Sequence, residues 1–185
     1  MSRHLLLARR FGFVVAIALG VLLAAETAVL AASLKRTGGP VNALYTATSA
    51  DGASFSTFGI APPVPGMTLT INVPEKTYAL LLITFSAETR CESNFAEGDA
   101  GCEIRATVDG QTASPGFVEF ASAPEPSEFH YQTHSMQFVA GPLGSGAHIV
   151  RIRWSVSEYN TSFSAGGRTL SVLVSKVGRV AISNV

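Results

Sequence analysis

The sequence predicts an all-β domain: a two-sheet antiparallel sandwich of jelly-roll type. Three observations carry that expectation. From Val41 onward apolar side chains recur with a period of two, the spacing at which successive residues of a strand face opposite sides. Turn-forming residues interrupt these runs at Pro62–Gly66, Asp109-Gly110, Pro124-Glu125-Pro126, Gly141–Gly146 and Gly166-Gly167. No stretch of useful length repeats at 3.6 residues, so helices have no apolar stripe to bury. Some eight to ten short strands separated by turns make a sandwich, with 41–185 as its single domain.

The N-terminus has a different composition. Arg3, Arg9 and Arg10 precede an uncharged apolar run from Phe11 to Ala25, which Glu26 ends. A basic start followed by an apolar helix is the pattern of an export signal. The small residues of Ala28-Val29-Leu30-Ala31-Ala32-Ser33 suit cleavage near Ala31 or Ala32, giving 1–32 as a signal helix. The alternative is an uncleaved anchor, which would be the chain's one attachment to a membrane; Glu26 within the span weighs against it. Residues 33–40 read as a polar linker. Without the signal, ten basic residues face twelve acidic ones, a net charge of −2. That balance offers no cationic footprint for phosphate backbones and excludes nucleic acid as an expected partner.

Along the domain, Met67, Leu69, Ile71 and Val73 alternate with Thr68, Thr70 and Asn72, and Pro74 stops the run. Tyr78 to Phe85 is continuously apolar and predicts a strand covered on both faces, either within the fold or by a neighbouring copy. Cys102, Ile104, Ala106 and Val108 form an inward row that ends at Asp109-Gly110, a pair suited to the positive φ of a tight hairpin. Strands are expected near Phe117–Ala121 and Phe129–Val139. From Ala147 to Ser157, His148, Val150, Ile152, Trp154 and Val156 point one way and Arg151, Arg153 and Ser155 the other. Leu170, Val172 and Val174 repeat the pattern.

The stretch from Ala140-Gly141 through Ala147-His148-Ile149-Val150-Arg151-Ile152-Arg153-Trp154, followed by Gly167-Arg168-Thr169-Leu170-Ser171-Val172, resembles the C-terminal part of uncharacterised exported bacterial β-sandwich proteins. These in turn are distantly similar to the jelly rolls of C1q and tumour-necrosis-factor domains. The resemblance covers the last third of the domain and rests on strand and turn residues. It implies a fold and trimerisation, and it transfers no site residue.

Cys91 and Cys102 are the only cysteines. An even count in an exported chain reads as a disulfide, here stapling one loop. That loop, with Glu92, Asn94, Glu97, Asp99 and Glu103, collects oxygen ligands that calcium accepts, but its spacing is not that of an EF-hand; a solvated acidic loop is the default and no cofactor is expected. His130 and His134 would lie about 13 Å apart on one face of a strand, too far to share a metal unaided. His148 across the sheet would be needed as a third ligand, in the manner of a cupin. Ser145, between two glycines and three residues before His148, sits in a turn and lacks the strand-turn-helix elbow of a catalytic serine. Glu119 and Glu128 form a carboxylate pair only if the fold joins them, and Asn160-Thr161-Ser162 is a glycosylation acceptor by pattern. An exposed platform of Tyr131, Tyr159 and Phe163 would mark a carbohydrate-binding module.

None of these constellations specifies a reaction. The sequence therefore favours a non-catalytic module, secreted or at the cell surface, that acts by binding a glycan or protein or by self-assembly. A secreted glycan-active or metal-dependent enzyme is the alternative.

Overall fold

The structure, a computed structural model, describes residues 35–37, 42–93, 100–123 and 130–177. Strands there are β1 (Lys35–Thr37), β2 (Asn42–Ser49), β3 (Ala53–Phe55), β4 (Pro63–Val73), β5 (Tyr78–Ser93) and β6 (Gly101–Val108). They continue with β7 (Gln111–Thr112), β8 (Val118–Ser122), β9 (Gln132–Leu143), β10 (Gly146–Val156) and β11 (Thr161–Val177). The export segment and the prolines around 124–126 lie outside the described residues.

One sheet runs β1-β2-β11-β5-β9, with β3 beside β11; the other runs β4-β10-β6, with β7 and β8 on the far side of β6. Every pairing between these strands is antiparallel. With β2, β4, β5, β6, β8, β9, β10 and β11 taken as strands 1 to 8, the sheets read 1-8-3-6 and 2-7-4-5. This is the order of a jelly roll, in which consecutive strands alternate between the sheets except for 4 and 5, which pair within one.

Alternation explains the core. Met67, Leu69, Ile71 and Val73 of β4, Val150, Ile152, Trp154 and Val156 of β10, and Leu170, Val172 and Val174 of β11 are buried in one core. Phe85 meets Phe120 across the sandwich at 5.3 Å, and Trp154 is held between Phe55 and Phe163. The strands are longer than the turn spacing implied: β5 has 16 residues and β11 has 17.

Four expectations are corrected. The chain itself covers Tyr78–Phe85 on one side only: Ala79, Leu81, Ile83 and Phe85 are buried, whereas Tyr78 and Leu80 are 47% and 37% exposed, so of the two covers expected the one from within the fold is absent. Part of the linker 33–40 is a strand, because the backbone of Lys35–Thr37 pairs with Leu44–Thr46. Gly166-Gly167 is no turn. It is a bulge within β11, where the register with β5 slips between Ala165 and Arg168. Lastly, the Cys91–Cys102 bond does more than staple a loop: Cys91 lies on β5 and Cys102 on β6, so it ties one sheet to the other.

Candidate functional site

The inter-sheet disulfide stands beside a cavity of about 90 Å³ lined by residues of β5, β8 and the start of β9. His130, Gln132 and His134 supply one wall, in an i, i+2, i+4 series that puts them on one face of an extended chain. Gln132 pairs with Thr89 and His134 with Ala87 across the β5–β9 ladder. Ala121 and Ser122 of β8 and Thr89 and Cys91 of β5 also line it. His134 packs its ring against Phe120 at 5.5 Å. Thr89 is 1% exposed, yet its Oγ1 has no hydrogen-bond partner. Buried hydroxyls are ordinarily paired, and Thr89 Oγ1 shares this exception with Thr161 Oγ1. Arg90, also at the cavity, has its charge answered by Glu92 at 3.0 Å and lies 5.2 Å from the Tyr131 ring.

His148 does not join the other two histidines. It sits on β10 at the Asp109-Gly110 hairpin, whereas the cavity adjoins Cys102 at the other end of β6, roughly 20 Å away along that strand. Its Nδ1 donates to Asp109 Oδ2 at 2.7 Å and its Nε2 to the Gly144 carbonyl at 2.9 Å. Both partners are acceptors, so the doubly protonated ring satisfies both bonds. Burial opposes the charge, but the bonds to Asp109 and Gly144 outweigh it and raise the His148 pKa above its ordinary value. Asp109 also accepts from the Ile149 amide at 2.8 Å; that bond and the one from His148 hold its carboxyl below the usual range. Among the described residues no three His, Cys, Asp or Glu side chains are grouped to hold a metal.

Ser145 is exposed in the β9–β10 turn, and His148 Nε2 is committed to Gly144. Glu119 lies on β8; Glu128 and the acidic positions 94–99 lie outside the described residues. Glu103 accepts from Ser155 Oγ at 3.0 Å. Phe163 is a core residue, which removes it from any aromatic platform, while Tyr159 stands 66% exposed at 44° to Phe58. Sequence reasoning passed over Arg168. The bulge at Gly166-Gly167 turns it inward, where it is 4% exposed and donates to the carbonyls of Asp51, Pro65 and Gly166. Burial pushes its pKa down, against the pull of Asp51. Thr89 and Gln132 were also missed, although Gln132 lies midway between the two histidines at the spacing that shares their face.

A second feature is a surface. The outward row Leu44–Leu173–Leu82–Val139 crosses four strands in register. The next rungs are Thr46–Ser171–Thr84–Gln137 and Thr48–Thr169–Ser86–Ser135, and on the other side of the row lie Leu80 and Tyr78. Ser86 and Ser135 share a hydrogen bond of 2.8 Å. Within β2, β11, β5 and β9 these rungs carry no charged residue, although the Thr46 rung continues to Lys35 on β1; Leu173 and Val139 are 39% and 50% exposed.

No family model matches the chain, and no curated protein matches it. Among solved structures it is similar to dimeric latent PorU from Porphyromonas gingivalis, with a TM-score of 0.37 and 13% identity over 77% of this chain and 14% of that one. It is also similar to the Agl-KA catalytic domain, with a TM-score of 0.28 and 16% identity over 84% of this chain and 30% of that one. The chain thus spans less than a third of either, and neither is a C1q or tumour-necrosis-factor domain.

Proposed function

We propose that this chain is an exported, non-catalytic β-sandwich module that works by self-association at the cell surface or outside the cell, as a homotrimer. The observation that carries this reading is the uncharged outward face of β2, β11, β5 and β9. Exposed apolar residues are ordinarily scattered, whereas here the exposed Leu173 and Val139 and the half-buried Leu44 and Leu82 form one row across the sheet. Charge depletion marks the core of interfaces more than apolarity does, and the Ser and Thr rungs beside the row supply short side chains that let a partner approach closely. Across four strands and from Tyr78 to Ser86 the face measures roughly 19 by 27 Å, or about 500 Å² in projection.

The stoichiometry rests on the resemblance to C1q and tumour-necrosis-factor jelly rolls, which implies trimers; the sheet orders 1-8-3-6 and 2-7-4-5 are in keeping with it. Export rests on the basic and apolar N-terminal pattern, and the inter-sheet disulfide fits an oxidising compartment. Light scattering on protein recovered from an exporting host is expected to give a three-chain mass at tens of micromolar. A strictly single-chain mass overturns the proposal.

A further inference from the structure

Both sheets end in strands with an unpaired outer edge, and natural proteins shield such edges from other chains. Most edges here are shielded. β1 carries Lys35 and Arg36, β4 carries Pro63 and Pro65, and β7 and β8 are only two and five residues long. β9 differs: it has 12 residues, and from Gln132 to Ala140 it contains no Lys, Arg, Asp, Glu or Pro. Its register identifies the open backbone groups. Val139 exchanges both backbone bonds with Ser114, at 2.8 and 3.0 Å, so its N–H and C=O point away from β5. Pairing with β5 is regular from Val139 back to Gln132, and bonding direction alternates along an antiparallel strand, so the N–H and C=O of Gln137, Ser135 and Thr133 also point outward. All three residues are exposed, and among the described residues none of these backbone groups has a hydrogen-bond partner. Such groups bond water until another strand replaces it.

The open stretch is complementary to itself. Ser114 closes it at Val139 and β9 begins at Gln132, so its centre is Ser135. A second β9 running antiparallel sets Ser135 opposite Ser135 and Thr133 opposite Gln137 on either side, and each pair exchanges two backbone bonds. The facing side chains are uncharged, so no like charges oppose each other across the axis. The partner's strand begins at its own Gln132, one residue short of the place that Ser114 occupies. A second copy thus brings the matching edge by symmetry, as in the isologous contact of a two-fold axis.

We propose that β9 is a pairing edge at which two copies of this chain join their six-stranded sheets, antiparallel and centred on Ser135. The contact is separate from the outward face and does not rest on the trimer. So short a ladder buries far less than a standard interface; the expected Kd is on the order of millimolar, and pairing acts where chains are crowded. The test is sedimentation equilibrium and amide NMR from about 50 μM to about 2 mM, on the full chain carrying Leu173→Asp and on the same chain with Ser135→Pro added. Proline at 135 removes the central outward N–H and no bond to β5, the setting in which an edge strand accepts it. The average mass of Leu173→Asp is expected to rise with concentration toward two chains while the amides of Thr133, Ser135 and Gln137 shift. Adding Ser135→Pro is expected to abolish both effects and leave the fluorescence of buried Trp154 unchanged. Ser135→Lys reaches the same point without constraining the backbone: it sets two ammonium groups opposite each other and is expected to weaken pairing about tenfold at low salt and less at high salt. The proposal is overturned if mass and β9 amides stay constant to the highest concentration, if the shifts fall elsewhere, or if the Ser135→Pro and Ser135→Lys chains pair as tightly as their parent. Every chain compared carries Leu173→Asp, so association through the face cancels and its failure is read separately.

Discussion

Removing the disulfide should cost this fold more than its short loop alone implies. The bridge closes a loop with a sequence separation of 11, for which the chain-entropy relation gives about 3 kcal/mol. Cys91 and Cys102 are 2% and 0% exposed, so Cys91→Ala with Cys102→Ala also leaves two sulfur-sized gaps between the sheets, about 1–2 kcal/mol more. The expected loss is therefore about 4–5 kcal/mol, or roughly 10–15 °C in Tm for a domain of this size. Trp154 is the sole tryptophan and is 2% exposed, so its fluorescence in a urea titration reports unfolding of the sandwich. The wild type treated with reductant separates the two contributions, since it loses the cross-link but keeps the sulfurs. Its midpoint should fall between those of the oxidised protein and the double variant, with a steeper dependence on urea than the oxidised form because the unfolded chain is less compact. Equal midpoints for oxidised and reduced protein, or two titratable thiols in denatured unreduced protein, refute the reasoning.

The Asp109–His148 pair gives stability a defined pH window. His148 is raised above its ordinary 6.5, so its contribution is complete below that value and lost as pH rises through the folded pKa; Asp109 is lowered below 3.8, so its contribution is present above that value and lost as pH falls through the folded one. Urea midpoints should peak between these limits, and Asp109→Asn should flatten the decline on the alkaline side. A wild-type midpoint that does not fall from pH 6 to pH 9 contradicts this. Arg168→Met removes the donor to the carbonyls of Pro65, Asp51 and Gly166 and should cost about 2–4 kcal/mol in the same assay, with Arg168→Lys recovering only part because a single ammonium cannot copy the guanidinium fork.

How much of this was legible follows from where each signal resides. β4 and β10 could be read because one face is apolar and the other polar, so Met67–Val73 and Val150–Val156 show their alternation directly. β5 hid its alternation because Tyr78, Leu80 and Leu82 are apolar on the outward side as well; the feature that blurred the strand is the same one that marks the surface. β1 is held by backbone pairing with β2, which a polar sequence does not announce. Gly166-Gly167 has the composition of a turn, and only the pairing of β11 with β5 on both sides of it makes it a bulge. Asp109-Gly110 was readable as a hairpin, but the bond from Asp109 to His148 depends on β6 lying beside β10. His130 and His134 were singled out for their spacing, while the partners that give them a cavity, Thr89 and Ser122, come from strands distant in sequence.

The most direct measurement of the central claim is sedimentation velocity on Leu173→Asp beside the wild type. Leu173 stands in the middle of the outward row and is 39% exposed, so a carboxylate there is solvated in a single chain and costs the fold little. In an assembly that covers the row, the same charge is buried without a partner, and association should weaken by at least about 100-fold. At tens of micromolar, the wild type is expected to sediment as a trimer and Leu173→Asp as a folded monomer. A variant that retains the wild-type sedimentation coefficient, or a wild type that is itself monomeric, contradicts self-association through this face.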